Sequence, residues 1–454
     1  MSAAFWTLDR IADALGELAV GKLPRGTTET TGITTDTRKI AKGNVFLALR
    51  GERFDGHDYL ADAVRDGASA IVVSKAPKLS ALGVPVFEVR DTLVALGALG
   101  RYWRRAWGKP VIGVAGSNGK TSTKDLLRAV LSESYAVHAT TGNLNNRIGV
   151  PLSLLSIPPE AEIAVIELGT SLPGEVAILR DIAEPNIALV TSIAEEHLEG
   201  LGDLAGVLRE EAAVYEGIEV GIAPSAQPEI AEAARGKAAR VVVAGLEKGA
   251  DLSPQRWEIG ADGLGVIEID GVTVKPPIRG VHNLQNTMLA LAVGRECGVS
   301  YDAAARGIAK MPQPKMRSAW EQVGDVTLIN DAYNANPGST RAAIELLKAT
   351  GSGRQRVIVL GTMRELGAAS QQCHADIAEL ALASGADIVA GIGEFAPALE
   401  KRNGGERVIT AHDVDELWPA LQARLQRNAI VLLKASRGVQ LERLVPHLTT
   451  WATA

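Results

Sequence analysis

Along this chain, short apolar runs closed by glycine or a polar residue alternate with longer stretches whose apolar positions recur every three or four residues. "VIGVAG" (Val111–Gly116), "IAVIELG" (Ile163–Gly169) and "NIALVTSI" (Asn186–Ile193) are almost wholly apolar. Such runs predict strands buried on both faces, as in a parallel sheet covered by helices. "TSTKDLLRAVLSESY" sets Leu126, Leu127, Val130 and Leu131 on one face of a helix. Upstream, residues 43–51 and 68–74 read as strands, and "DYLADAVRDG" between them reads as a helix ending at Gly67. "RYWRRAWGKP" reads as a linker helix stopped before Pro110. "WEIGADGLGVIEIDGVTV" carries two Asp-Gly turns and predicts a hairpin insert, after which "GVHNLQNTMLALAVGREC" resumes a helix. A second strand series follows Pro312: "VTLIND", "RVIVLGTM", "DIVAGIG" and "AIVLLKAS".

This rhythm predicts an α/β protein of three domains: a small α/β domain over 1–95, a parallel-sheet domain over 96–311 and a Rossmann-like α/β domain over 312–454. With 46% hydrophobic and 22% charged residues, each can bury a core. A net charge of −6 without a basic stripe argues against a nucleic-acid partner. Cys297 and Cys373 form no spaced framework, so a reducing cytoplasm is expected. The N-terminus has no secretory pattern, and no apolar stretch is long enough for a membrane helix.

The loop Gly116-Ser117-Asn118-Gly119-Lys120-Thr121 lies between a strand and a helix. Few side chains obstruct it, so its N–H groups can converge on an anion at the positive end of the helix. Lys120 supplies a charge for terminal phosphates and Thr121 a hydroxyl for Mg2+, with Ser122 following in the first turn. The strict nucleotide-loop pattern has glycine where this chain has Val114, so the loop is a shortened variant. The alternative is a glycine turn that happens to precede Lys-Thr. The strand–loop–helix context favours a nucleotide phosphate, that of ATP. Glu167, at a strand's C-terminal end, suits a hard cation that prefers oxygen.

This form of the loop resembles the Mur ligase family, ATP-dependent amide-forming enzymes. "ITTDTRKIAKGNVFLALRGERFDGHDYL", "TTGNLNNRIGVPLSLL", "AVIELGTSLPGEV", "TSIAEEHLEGLG", "GVHNLQN", "INDAYNANPGS", "LGTMRELG" and "KASRG" follow in the family's order. "DAYNANPGS" and "GxxRELG" resemble the member that adds D-alanyl-D-alanine to UDP-N-acetylmuramoyl-tripeptide. The resemblance implies transfer of the γ-phosphoryl group of ATP to a substrate carboxylate, then attack by the amine. It implies ATP and Mg2+ as cofactors, the sugar nucleotide and the dipeptide as partners, and a monomer that closes its third domain on its second.

Residue by residue, the resemblance assigns Lys120, Glu167, His197 and Arg317 to catalysis, with Thr121, Glu167 and His197 on the metal. His282, Asn283 and Asn286 match the adenine-contacting stretch, since asparagine both donates and accepts. A helix N-cap is the ordinary role for Asn283. Asp331 matches a residue near the ribose, and Arg317 one that reaches the γ-phosphate. Thr35, Asp36, Thr37, Arg38, Asp55, Gly56 and His57 match stretches associated with the uridine nucleotide, although Gly56 turning and Asp55 capping a turn is the plain alternative. Asn143, Asn145 and Asn146, then Tyr333, Asn334 and Asn336, then Ser436 and Arg437, are assigned to the substrates.

Three positions depart from the family pattern. Glu211 stands where the family has a lysine that becomes carbamylated, and Ala213 where it has a following glutamate. Either Glu211 supplies the carboxylate directly, or "REEAA" is a solvated helix face and that role is lost. Thr362 replaces an aspartate and Ala435 a glycine. The competing functions are a folate polyglutamate or cyanophycin-type ligase, and a nucleotide-binding regulatory relative without turnover.

Overall fold

The structure, a computed structural model, describes residues 5–51, 54–75, 82–312, 316, 319–350, 353–402 and 404–453. It divides into two compact units, Met1–Val114 with Tyr135–Thr170 and Gly174–Ala188, and Ala115–Ser134 with Ser171–Pro173 and Leu189–Ala454.

The first unit begins with a four-stranded sheet, β1 (Gly32–Thr34), β2 (Asn44–Leu47), β3 (Ala70–Val73) and β4 (Val86–Glu88), parallel throughout and in that order. Phe46, Ile71 and Val73 pack with Leu60 and Ala63 of the covering helix Leu60–Arg65. The turn Gly56–Tyr59 ahead of that helix is 3-10 rather than α, and Gly67 stands just past the helix end at φ 113°.

The helix expected before Pro110 is present and long, Thr92–Trp107, and it is packed. Asp91 caps its start by accepting the N–H groups of Leu93 and Val94, and Gly108 ends it at φ 69°. Trp103 and Trp107 are buried, the Trp107 indole donates to the Ala161 carbonyl, and a side chain at Gly100 would meet the Pro151 backbone at 3.0 Å.

β5 (Val111–Ala115), β6 (Val137–Ala139) and β7 (Ile163–Glu167) run parallel, with Val114 in register with Glu167. The carboxylate of Glu167 therefore emerges at the C-terminal end of its strand.

The strand β8 (Ile187–Val190) passes from the first unit into the second at Leu189. In the second unit its Val190 N–H donates to the Tyr215 hydroxyl, and β9 (Val220–Pro224) pairs in parallel with β10 (Arg240–Ala244). The helix Lys120–Leu131 buries Leu126, Leu127, Val130 and Leu131, the face its periodicity predicts, and packs on the helix Val281–Glu296. The insert is a three-stranded antiparallel meander of β11 (Arg256–Ile259), β12 (Gly265–Ile269) and β13 (Val272–Val274). Asp270 and Gly271 both have positive φ (47° and 77°), the backbone of a two-residue hairpin turn.

The last sheet holds β14 (Ala319–Val323), β15 (Val326–Asp331), β16 (Arg356–Leu360), β17 (Ile388–Ile392), β18 (Val408–Ala411) and β19 (Ile430–Lys434), in the order β14-β15-β19-β16-β17-β18. Only β14 is antiparallel to its neighbour. Successive residues feed two cores: Ile329, Ile358 and Leu432 on one face, Leu328, Val357 and Val431 on the other. This two-sided burial explains the continuous apolar runs. Leu198, Leu201 and Val207 join the first of these cores. No described helix is long and apolar enough to cross a membrane.

Candidate active site

The loop after β5 is fixed by its own unit. Gly116 has φ 115°, and a Cβ there would lie 2.4 Å from Thr191 Oγ1 and 2.6 Å from the Thr191 nitrogen. Gly119 has φ 87° and lies against the Asn286 amide. The Ser117 N–H donates to the Ser192 carbonyl at 2.7 Å and the Asn118 N–H to Ser192 Oγ at 3.1 Å, while Asn118 O accepts from Thr191 Oγ1 at 2.6 Å. Gly119 is the N-cap of the following helix and provides no side-chain cap bond. The positive end of that helix, with Thr121 and Ser122 in its first turn, thus has the form that binds phosphate.

Three charged groups crowd beneath the loop. Lys120 Nζ donates to the Gly116 carbonyl and to Ser117 O (3.2 Å), and lies 3.5 Å from Glu196 Oε1. Glu211 Oε2 accepts the Gly116 N–H at 2.7 Å. Glu211 is 1% exposed and Glu210 7%, so "REEAA" is not a solvated helix face. Burial pushes the Glu211 carboxyl up to about 7, against the opposing pull of Lys120. His197, in left-handed backbone at φ 54°, pairs its Nδ1 with the Glu365 carboxylate and lies 3.9 Å through Nε2 from Glu196. Burial opposes its charging, but Glu365 and Glu196 win and raise its pKa, and the same bond holds Glu365 below its ordinary range.

The carboxyl ends of the last sheet's strands complete this unit's polar cluster, where ligands of open α/β sheets bind. Asp331 ends β15 and Lys434 ends β19 in register with it, with Lys434 Nζ 2.8 Å from Asp331 and 2.7 Å from the Asn334 carbonyl. His282, half-buried near both, has its pKa lowered by burial. Asn283 is not the N-cap of its helix. Gly280 holds that position, and Asn283 Nδ2 donates to the Arg279 carbonyl while its Oδ1 accepts from Asn286. The lining of a cleft includes Glu196, His197, Asn334, Asn336, Glu365 and Ser436, with Arg437 beside them. Ser436 Oγ accepts the Arg364 N–H and donates to Ala335 O, while exposed Arg437 pairs with Glu442 at 2.8 Å. Tyr333 is half-buried. At the departures, Thr362 Oγ1 accepts the Glu394 N–H, and Gly361 leaves room for the Ala435 methyl, which a Cβ there would meet at 2.8 Å.

In the first unit, Asp36 caps a short turn, and its two carboxylate oxygens accept from Nε and Nη2 of Arg38, each at 2.9 Å, which keeps its carboxyl low. Thr35 and Thr37 flank it, half-buried. Asp55 accepts both the His57 N–H (3.0 Å) and His57 Nδ1 (2.6 Å), and His57 Nε2 accepts the Ser74 N–H. These bonds tie that histidine to the end of β3. Gly56 does not need positive φ; its Cβ would lie 2.9 Å from Leu49 O, so close approach is what requires glycine. Glu167 is buried and accepts from Asn145 Nδ2 at 2.9 Å, Asn146 Oδ1 takes the N–H groups of Ile148 and Gly149, and Asn143 is exposed. Arg317 lies outside the described residues.

Three family domain descriptions match the chain: Mur ligase family, catalytic domain over residues 29–104, Mur ligase middle domain over 114–294, and Mur ligase, glutamate ligase domain over 316–437. The UDP-N-acetylmuramoyl-tripeptide--D-alanyl-D-alanine ligase of Escherichia coli is 35% identical over 97% of this chain and 98% of its own. The chain belongs to the Mur ligase family. A crystal structure of MurF from Acinetobacter baumannii superposes with TM-score 0.90 at 31% identity, covering 98% of this chain and 99% of the other. MurF from Thermotoga maritima in complex with ADP gives 0.83 at 27% identity, covering 93% and 98%.

In this Mur ligase, Glu196, Glu365 and Lys434 are polar residues of the cluster that sequence reasoning did not single out, although all three lie inside quoted motifs. Their signal is tertiary, since each matters through a partner distant in sequence. Among the described residues no three His, Cys, Asp or Glu side chains form a ready metal cage. Each unit carries an oxygen donor of the hardness a cation such as Mg2+ prefers, the buried Glu167 carboxylate in the first and the Thr121 hydroxyl in the second, and within the second unit Glu365 fixes the orientation of the His197 ring.

Gly116→Ala in this Mur ligase is expected to lose more than about 2 kcal/mol of stability and to weaken ADP binding at least about tenfold, because φ 115° and the Thr191 contact cannot both be kept. Urea unfolding and ADP titration would show this; a variant with unchanged values on both would refute the strained-loop account.

Proposed function

We propose that this Mur ligase joins D-alanyl-D-alanine to UDP-N-acetylmuramoyl-tripeptide with consumption of ATP, giving ADP and phosphate. The observation that carries the reading is its near-full-length relation to a ligase of that name, 35% identical over 97% of the chain. The loop geometry and the polar cluster at the strand ends support it.

A carboxylate is a poor electrophile, so amide formation needs prior activation. Phosphoryl transfer to the tripeptide carboxylate makes an acyl phosphate; the dipeptide amine attacks it, and phosphate leaves. Such transfer depends mainly on positioning and charge neutralisation. Here the positive end of the helix that begins at Lys120, together with the Lys120 ammonium, holds phosphate oxygens, with Arg317 assigned to the γ-phosphate. The N–H groups of Gly116, Ser117 and Asn118 are taken up in shaping the loop. His282, Asn283, Asn286 and Asp331 serve the nucleoside. Thr121, Glu167 and His197 are the assigned Mg2+ donors, and the ion neutralises developing phosphate charge when bound. Thr35–Arg38 and Asp55–His57 with Asn143, Asn145 and Asn146 serve the sugar nucleotide. Tyr333 and Asn334, with Asn336 beside them, shape the amine site for the dipeptide, and Ser436 and Arg437 face the substrates. The reading includes the three-domain division at 95/96 and 311/312 and a cytoplasmic monomer.

Phosphate release from ATP with Mg2+ tests it. Release is expected only when both the UDP-linked tripeptide and D-alanyl-D-alanine are present. ATP binding without release under those conditions would favour a regulatory relative instead.

A further inference from the structure

Asn336 uses all the hydrogen-bonding capacity of its amide within the protein. An asparagine side chain has two donor hydrogens and two acceptor positions. Asn336 Nδ2 donates to Asn118 Oδ1 at 2.9 Å and to Glu196 Oε2 at 3.2 Å. Its Oδ1 accepts from Asn118 Nδ2 at 3.1 Å and from the Ser339 N–H at 2.8 Å. The residue is 2% exposed, so water does not substitute for these partners. Aspartate would keep the acceptors but lose both donors and place a second charge against Glu196; serine could not span the four bonds. The requirement is for an amide.

Asn336 is also the cap of the helix Pro337–Thr350, with its own N–H donated to Ser339 Oγ and proline in the first turn. Asn118 belongs to the phosphate loop, and Asn334 and Asn336 line the cleft. The two loops thus meet through a reciprocal amide pair between residues 218 positions apart. A second path runs beside it: Glu196 gives Oε1 to Lys120 and Oε2 to Asn336. A phosphate that draws Lys120 to itself alters the charge balance on the carboxylate that Asn336 shares.

We propose that Asn336 is a positioning residue rather than a substrate contact, and that the Asn118–Asn336 amide pair transmits occupancy of the loop by a nucleoside polyphosphate to the Asn334–Asn336 segment lining the cleft. The pair would hold the segment in register with the loop, so that the group arriving in the cleft meets a reacting phosphate at a fixed place. In catalysis this rests on the ligase reading above; the coupling itself does not need it.

Hydrogen exchange followed by mass spectrometry, with saturating ADP as the probe, tests the coupling without turnover. In the full-length parent, ADP is expected to slow exchange in residues 333–340 at least about threefold. Asn118→Ala and Asn336→Ala, shown by titration to be loaded with ADP, are expected to lose that protection. Asn118→Ala leaves the helix cap intact, so it answers the question even where Asn336→Ala folds poorly. No ADP effect on 333–340 in the parent, or an effect retained in Asn118→Ala, would overturn the proposal. If the parent shows dipeptide-dependent phosphate release, each single variant should lower kcat about tenfold and the double variant no further, because both remove one interaction. The preference for D-alanyl-D-alanine over D-alanyl-glycine should stay unchanged. A hundredfold loss in the double variant, or a shifted preference in Asn336→Ala, would make Asn336 an independent substrate contact. Absence of turnover in the parent would sink the ligase reading and leave the exchange result standing.

Discussion

Lys120→Met is expected to lower ligase turnover by about 100- to 1,000-fold, the usual cost of removing one preorganised electrostatic group from a reaction that develops charge. Lys120 sits at the start of the loop helix with its ammonium on two loop carbonyls and beside Glu196. The substitution keeps the aliphatic stem, so the fold should persist and the loss should appear in phosphate release and in ADP affinity. Turnover within about threefold of the parent, with full folding, would show that another cation neutralises the phosphates. A second consequence separates this loss from simple misfolding: Lys120 is the charge that pulls the Glu211 carboxyl down against burial, so its removal should drive that carboxyl further up.

Glu211→Gln should stabilise the protein at alkaline pH and not at acid pH. Burial raises the Glu211 carboxyl from 4.5 to about 7 in the folded chain. A raised folded pKa means that the folded state binds the proton more tightly than the unfolded state does. That contribution is complete below about pH 4.5 and is lost as pH rises through about 7. Glutamine does not titrate and so escapes the loss, while its Oε1 can still accept the Gly116 N–H. The difference between variant and parent at pH 8.5 should reach about 3 kcal/mol at most and vanish near pH 4.5, read by urea unfolding at the two values. Equal parent and variant stability at pH 8.5 would mean that Lys120, with the Gly116 N–H, already compensates the buried charge among its neighbours Glu196 and His197. Bicarbonate should leave the parent's turnover unchanged, since Glu211 already carries a carboxylate. Stimulation by bicarbonate would count against Glu211 in that role. Glu211→Ala should slow phosphoryl transfer more than Glu210→Ala.

Much of the fold is written in local pattern. The apolar runs ending at Gly116, Gly169 and Ile193 contain β5, β7 and β8, and the four runs after Pro312 contain β15, β16, β17 and β19. A strand buried on both faces has no polar position to interrupt it, and a phosphate loop needs glycine where φ is positive, so both leave marks on adjacent residues. The edge strand β14 leaves a weaker mark, because its exposed stretch admits two consecutive polar residues, Glu321 and Gln322, into "AWEQV". The helix Thr92–Trp107 does stop before Pro110, but its packing is not legible in the string: Arg104 is 7% exposed and bonded to the carbonyls of Ala183 and Glu184.

The site divides along the same line. Loop, candidate metal donors and substrate motifs can be recognised because each is a short string of consecutive residues with a chemistry of its own. Their partners cannot. Glu211 reaches Gly116 across 95 positions, His197 reaches Glu365 across 168 and Asn118 reaches Asn336 across 218. Nothing in "REEAA" distinguishes a buried carboxylate from a solvated one, since burial belongs to what packs over a residue and not to the residue. Backbone propensity and hydrophobic period act over a few residues and leave a trace in the string; hydrogen bonds and desolvation act through space, and exist only once the sheets have brought their loops together.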